Sequence, residues 1–119
     1  MYHRYHNETF DFELWVVVAK DPVIERQRKK WEEMFGKYED NFYACHCWRN
    51  GASGLFLPRD VDVGVVAHEV MHSTDRMLEW NGVDLVEGNE EVYARVNEWI
   101  TNRVYESFKK WGIKPKVKR

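Results

Sequence analysis

A chain of 119 residues that is 44% hydrophobic and 15% aromatic, with only 7 Gly and 3 Pro, holds enough apolar material for one folded domain and too little Pro and Gly for a disordered one. Its 20 acidic and 18 basic residues leave a formal net charge of −2, which excludes the strongly basic balance of a dedicated nucleic-acid binder. No run approaches the roughly 18 apolar residues that span a bilayer, and the first residues lack a basic stretch followed by an apolar one, so the expectation is a soluble, cytoplasmic protein with no membrane partner.

Phe10 to Ala19 alternates apolar residues at Phe10, Phe12, Leu14, Val16 and Val18, then fills the other face with Trp15 and Val17. This predicts a first strand covered on both sides. Asp21 and Pro22 supply an N-cap and a first-turn proline for a first helix carrying Ile24, Trp31, Met34 and Phe35 and ending at Gly36. After a polar turn, Lys37 to Asn41, a second strand runs from Phe42 to Trp48, and the Asn50-Gly51 pair turns the chain into a short third strand, Gly54 to Leu57.

Asp60 or Asp62 caps a second helix with the stripe Val63, Val66, Ala67, Val70, Met77 and Leu78, stopped by Asn81-Gly82. A third helix, about Asn89 to Lys110, offers Val92, Val96, Trp99, Ile100 and Phe108 as buried positions. The expected fold is α+β, in the order β-α-β-β-α-α: a small twisted, mainly antiparallel sheet of about three strands packed on three helices. Residues 1–111 would form one domain and 112–119 a basic tail. Six basic residues and no acid lie between Lys109 and Arg119, and this run reads as a solubilising end that complements the negative pole of the last helix.

The second helix contains His68-Glu69-Val70-Met71-His72, an HExxH pattern. Residues four apart stand one turn apart on one helix face, so both imidazoles can meet one zinc ion. The Glu69 carboxylate, 100° round the helix, can instead take a proton from a water in an open coordination position. With 5 His and 13 Glu, composition alone would produce the pattern in roughly 2 of 100 shuffled chains. A surface histidine pair on an ordinary helix is therefore the alternative to a zinc site.

Catalytic zinc usually has three protein ligands, and after His72 an interval of eighteen residues, Ser73 to Glu90, leads to Glu91, in the run Asn89-Glu90-Glu91-Val92-Tyr93-Ala94. On these residues the chain resembles the gluzincin metallopeptidases, in which HExxH is followed by a glutamate on the next helix. Its whole pattern is similar to the smallest of them, the minigluzincins, some of which occur among phage proteins. The resemblance implies a zincin-like fold and one zinc ion held by His68, His72 and Glu91, with Glu90 the second choice for the third ligand. It further implies Glu69 as general base in peptide hydrolysis, and a peptide or protein substrate lying extended along an edge strand, Gly54 to Leu57.

Helix angles bring Asp75 within about 20° of His68, where it could fix the tautomer of a ligand imidazole or simply be solvated. Tyr93, Tyr105 and His46 are oxyanion-donor candidates that could equally be packing residues. Cys45 and Cys47, the only two cysteines, would point to one side of the second strand and His46 to the other, so the three cannot chelate one ion; a buried strand is expected there. His3 and His6 fall on an end expected to fray. From a different class comes a zinc-stabilised, catalytically inactive peptidase-like module that acts by binding, for example a phage modulator of a host protein. A chain this small could also dimerise to complete a cleft.

Overall fold

The computed structural model describes residues 1–19, 33, 37–39, 45–84 and 88–117. Among these, five strands form one mixed sheet: β1 (Tyr2–Asn7), β2 (Phe12–Ala19), β3 (Lys37–Glu39), β4 (Cys45–Arg49) and β5 (Ala52–Pro58), in the spatial order β1-β2-β5-β4-β3. Three of the four pairings are antiparallel and β2 runs parallel to β5. Two helices complete the described fold, α1 (Val63–Trp80) and α2 (Glu90–Trp111). Of the helix expected between Asp21 and Gly36, only Glu33, which is helical, is among the described residues.

The alternation of β2 has the consequence that its pattern predicts. Phe12, Leu14, Val16 and Val18 join Leu55 and Leu57 of β5 and the inner sides of both helices in one apolar core. Val17 and Phe56 face the other way and are also buried, at 4% and 0% exposure, so the middle of the sheet is covered on both faces. Asn50 and Gly51 form the two-residue turn of the β4–β5 hairpin, where Gly51 takes a φ of 73°, a left-handed conformation that glycine adopts without strain.

Four expectations are corrected. Among the described residues the sheet has five strands where about three were expected. β1 reads Tyr-His-Arg-Tyr-His-Asn, too polar to announce itself, yet its backbone pairs with β2 along its whole length, so the N-terminal segment is held and not frayed. β3 is only three residues long and falls in the stretch expected as a turn. The third expected strand, now β5, is no edge: it lies between β2 and β4 with its backbone paired on both sides and every residue buried, so no extended substrate can add to it. Its continuous apolar run is the mark of such an interior position.

The helix boundaries follow their caps. The Asp62 side chain accepts the Val65 amide proton at 2.9 Å, closing the first turn of α1. Glu90 and Glu91 sit in the first turn of α2 and Lys109 and Lys110 in its last, each favourable to the helix dipole, and Gly112 ends it in the left-handed conformation. The segment beyond Gly112 was expected as a tail. Its first part instead docks: Ile113 is buried, and Lys116 exchanges backbone hydrogen bonds with Val61 and Val63 just before α1. At the other end of α1, Trp80 Nε1 donates to the Asp11 carbonyl and Asn81 Nδ2 to the Phe10 carbonyl, pinning the helix to the β1–β2 loop.

Because Asp62 closes the helix that carries the HExxH residues, D62A is expected to lower stability by about 1 kcal/mol and D62N by much less. Urea unfolding of the variants beside the parent chain checks this.

Candidate metal centre

The face that α1 buries differs from the apolar stripe read in its sequence. Val63 and Ala67 face solvent, while Val66, Glu69, Val70, Ser73, Thr74, Met77 and Leu78 point inward. The helix is thus rotated so that three polar side chains meet the sheet and its neighbours. Ser73 Oγ lies 2.6 Å from Ser53 Oγ on β5, and Ser53 Oγ hydrogen-bonds in turn with His46 Nε2 on β4. All three residues have 0% exposure. Thr74 back-bonds to the Val70 carbonyl and receives Asn97 Nδ2 from α2 at 3.3 Å.

This rotation leaves His68 exposed and His72 half-buried, side by side, with their Nε2 atoms 3.2 Å apart and their rings at 77°. Two nitrogens each about 2.05 Å from a tetrahedral zinc lie about 3.3 Å from one another, so the pair has the separation that two zinc-bound imidazoles would have. The ring of His72 stacks on His46 at 5.8 Å and 17°, and His46 stacks on Trp48 at 5.4 Å and 12°. His72 therefore rests against a rigid buried surface.

Glu69 is 1% exposed, on the sheet side of α1 with Ser73 one turn beyond. Burying a carboxylate on the packing face of a helix is costly, and an ordinary amphipathic helix would place an apolar residue there.

Glu91 and Glu90 both lie in the first turn of α2. The Glu91 carboxylate meets Arg95 Nε at 3.1 Å with its side chain 76% exposed, and Glu90 Oε2 accepts the Gly88 amide proton at 2.9 Å. Among the described residues, no group of three or more His, Cys, Asp or Glu side chains converges as a metal site. The structure thus brings His68 and His72 together and leaves Glu91 turned to Arg95. Asp75 is exposed, and its charge, after burial itself, helps raise the Tyr93 hydroxyl above its ordinary pKa. Tyr105 packs edge-on against Phe108 and is raised by burial. His3 and His6 are taken up elsewhere: His3 Nδ1 bonds with Ser107 Oγ and its ring stacks on Trp111, while His6 meets Asp11.

Ser53, Ser73, Trp48 and Arg76 were not singled out from the sequence. Ser73 carried a signal, since it interrupts the inward series Val66, Val70, Met77 at a position where an apolar residue is the default. Nothing comparable marks Ser53, which takes its meaning from the strand opposite.

No family model, curated protein or solved structure matches the chain.

His46 is held neutral: burial first, then the neighbouring His72 and Arg76, lowers its pKa from 6.5 to about 3. Its Nδ1 has no hydrogen-bond partner among the described residues, so an added proton there would be a buried, unsolvated charge. The unfolded chain, with an ordinary histidine, binds more protons than the folded one between these two values. Unfolding free energy is therefore expected to fall as pH drops from about 6.5 towards about 3, and to be insensitive to this residue above 6.5. Chemical denaturation across that range checks it, and H46Q should flatten the slope.

Proposed function

We propose that the chain is a zinc-dependent peptidase of minigluzincin type, with a zincin-like fold and one zinc ion per molecule. The observation that carries this reading is the 3.2 Å approach of the His68 and His72 Nε2 atoms, next to a glutamate that the fold buries at a position where packing would favour an apolar residue. His68 and His72 fit the first two ligand positions, and Glu91 is the proposed third, releasing Arg95 to take it up. Bound there, zinc would supply Lewis acidity toward a peptide carbonyl and toward water.

The chain's own residues supply the rest. His46, bonded to the serines beneath it, backs the His72 ring from the core side, so this imidazole is placed before any ligand arrives. Glu69 is the proton carrier: it accepts a proton from the attacking water and returns it to the leaving amine. A histidine would be a poor substitute, since both imidazoles of the motif are committed as ligands in their neutral form.

Protein purified without an affinity tag or added metal should contain about one zinc per chain, and H68A or H72A should abolish it, because two remaining ligands do not offset the ion's dehydration. E91Q should weaken zinc binding and E90Q should leave it unchanged, the two side chains diverging by about 100° around the helix. Metal analysis of the four variants decides both points; zinc loss confined to E90Q would exchange the two glutamates.

E69Q should keep zinc and fold, since the amide is nearly isosteric, and should cut hydrolysis by about 10²–10⁴-fold, since it cannot accept a proton. Cleavage of a broad peptide library by parent and variant, with and without a chelator, measures this. Zinc bound at full occupancy with no cleavage by the parent chain would favour the binding-module reading.

A further inference from the structure

Two asparagines of the chain precede glycine: Asn50-Gly51 in the β4–β5 turn and Asn81-Gly82 at the end of α1. This pair of residues is open to intramolecular deamidation, because glycine has no Cβ to shield its backbone nitrogen from the side chain before it. The nitrogen attacks the asparagine Cγ, the Cγ–Nδ2 bond breaks, and ammonia leaves with the proton that the nitrogen loses. A five-membered succinimide remains, and water opens it. Addition of water at Cγ gives aspartate. Addition at the backbone carbonyl gives isoaspartate, in which the chain runs on through the side-chain carboxyl carbon and is one atom longer. The net change is an amide exchanged for an acid by water, with no oxidant or enzyme.

The two sites share this chemistry and differ in what holds them. Asn81 Nδ2 donates to the Phe10 carbonyl at 2.9 Å and to the Met77 carbonyl at 2.8 Å, which fixes the amide. The Gly82 N–H donates to the Glu79 carbonyl at 3.0 Å, which turns the nitrogen back into the helix end. Attack there requires these three hydrogen bonds to open first. At the other site neither reacting group is held. The Asn50 side chain is exposed and has no hydrogen-bond partner among the described residues, and the Gly51 N–H donates to none of them. Ring closure at Asn50 therefore takes away no hydrogen bond, whereas at Asn81 it would remove the one that Gly82 makes to the helix.

The β4–β5 turn is also a junction. The Gly51 carbonyl accepts the Glu13 amide proton at 2.8 Å, and a Cβ on Gly51 would come within 3.4 Å of the Trp80 indole. The hairpin, the start of β2 and the end of α1 thus meet at these two residues. One extra backbone atom in a two-residue turn shifts all three, since Arg49 and Ala52 on either side of it are paired directly.

We infer that Asn50 is a modification site of this protein, converted with age to aspartate and isoaspartate by attack of the Gly51 nitrogen, while the fold protects Asn81. This chemistry needs neither zinc nor peptidase activity.

The full-length chain is incubated in mildly alkaline buffer at body temperature, with and without denaturing guanidinium chloride, and sampled over weeks by peptide mapping and mass spectrometry. Circular dichroism checks that the first arm stays folded, and labelling with isoaspartyl methyltransferase distinguishes isoaspartate from aspartate. The folded chain is expected to deamidate at Asn50 at least about tenfold faster than at Asn81, where hydrogen bonds must open before attack. In guanidinium chloride the two sites should react at similar rates, because only the shared Asn-Gly sequence then governs them. Equal rates in the folded chain overturn the proposal, as does an Asn50 that reacts only when the chain is unfolded. The role of the turn as a junction is read by thermal melting of the isoaspartate form beside N50D, which carries the same charge on an ordinary backbone. A lower midpoint for the isoaspartate form supports that role, and equal midpoints overturn it.

Discussion

The hydrogen-bonded contact between Ser73 of α1, Ser53 of β5 and His46 of β4 decides how the helix sits on the sheet. An amphipathic helix with only apolar side chains can slide or rotate by tens of degrees at little cost, because dispersion contacts are non-directional. Hydrogen bonds are directional, and a buried hydroxyl or imidazole left without one costs about 1–3 kcal/mol. Three fully buried polar residues joined in one hydrogen-bonded chain therefore fix the rotation of α1, and with it the direction in which His68 and His72 project.

The same contact fixes the electrostatics of the region. His46 is neutral because it is buried between β4 and α1, with His72 and Arg76 adding to the effect. A neutral ring can stack against His72 without repelling it, and its other face carries Trp48, which in turn carries Arg76. A charged His46 would be a buried cation facing Arg76. Burial thus makes a single surface out of residues from a strand, a hairpin and a helix.

The sheet order has a second effect on function. The strand that leads into the HExxH helix is the middle of five and is paired on both sides, so whatever peptide approaches α1 must do so from outside β5. The polar β1 and the short β3 lie at the two margins among the described residues, which is how natural sheets blunt their edges.

Local chemistry was legible in the chain itself. The β2 alternation, the Asn50-Gly51 turn, the Asp62 cap and the one-turn spacing of His68 and His72 each depend on residues close in sequence, whose backbone geometry is set by sterics and hydrogen bonding within a few positions. Tertiary structure alone decided the rest. β1 exists because β2 offers it a backbone partner, not because of its own polar residues. β5 is interior because strands distant in sequence flank it, and a short apolar run cannot declare its neighbours. The inward face of α1 includes Ser73 because Ser53, 20 residues before it in the chain, meets that face and is itself bonded to His46. Hydrophobic periodicity weighs only apolar side chains, so a rotation set by buried polar partners leaves no trace in it.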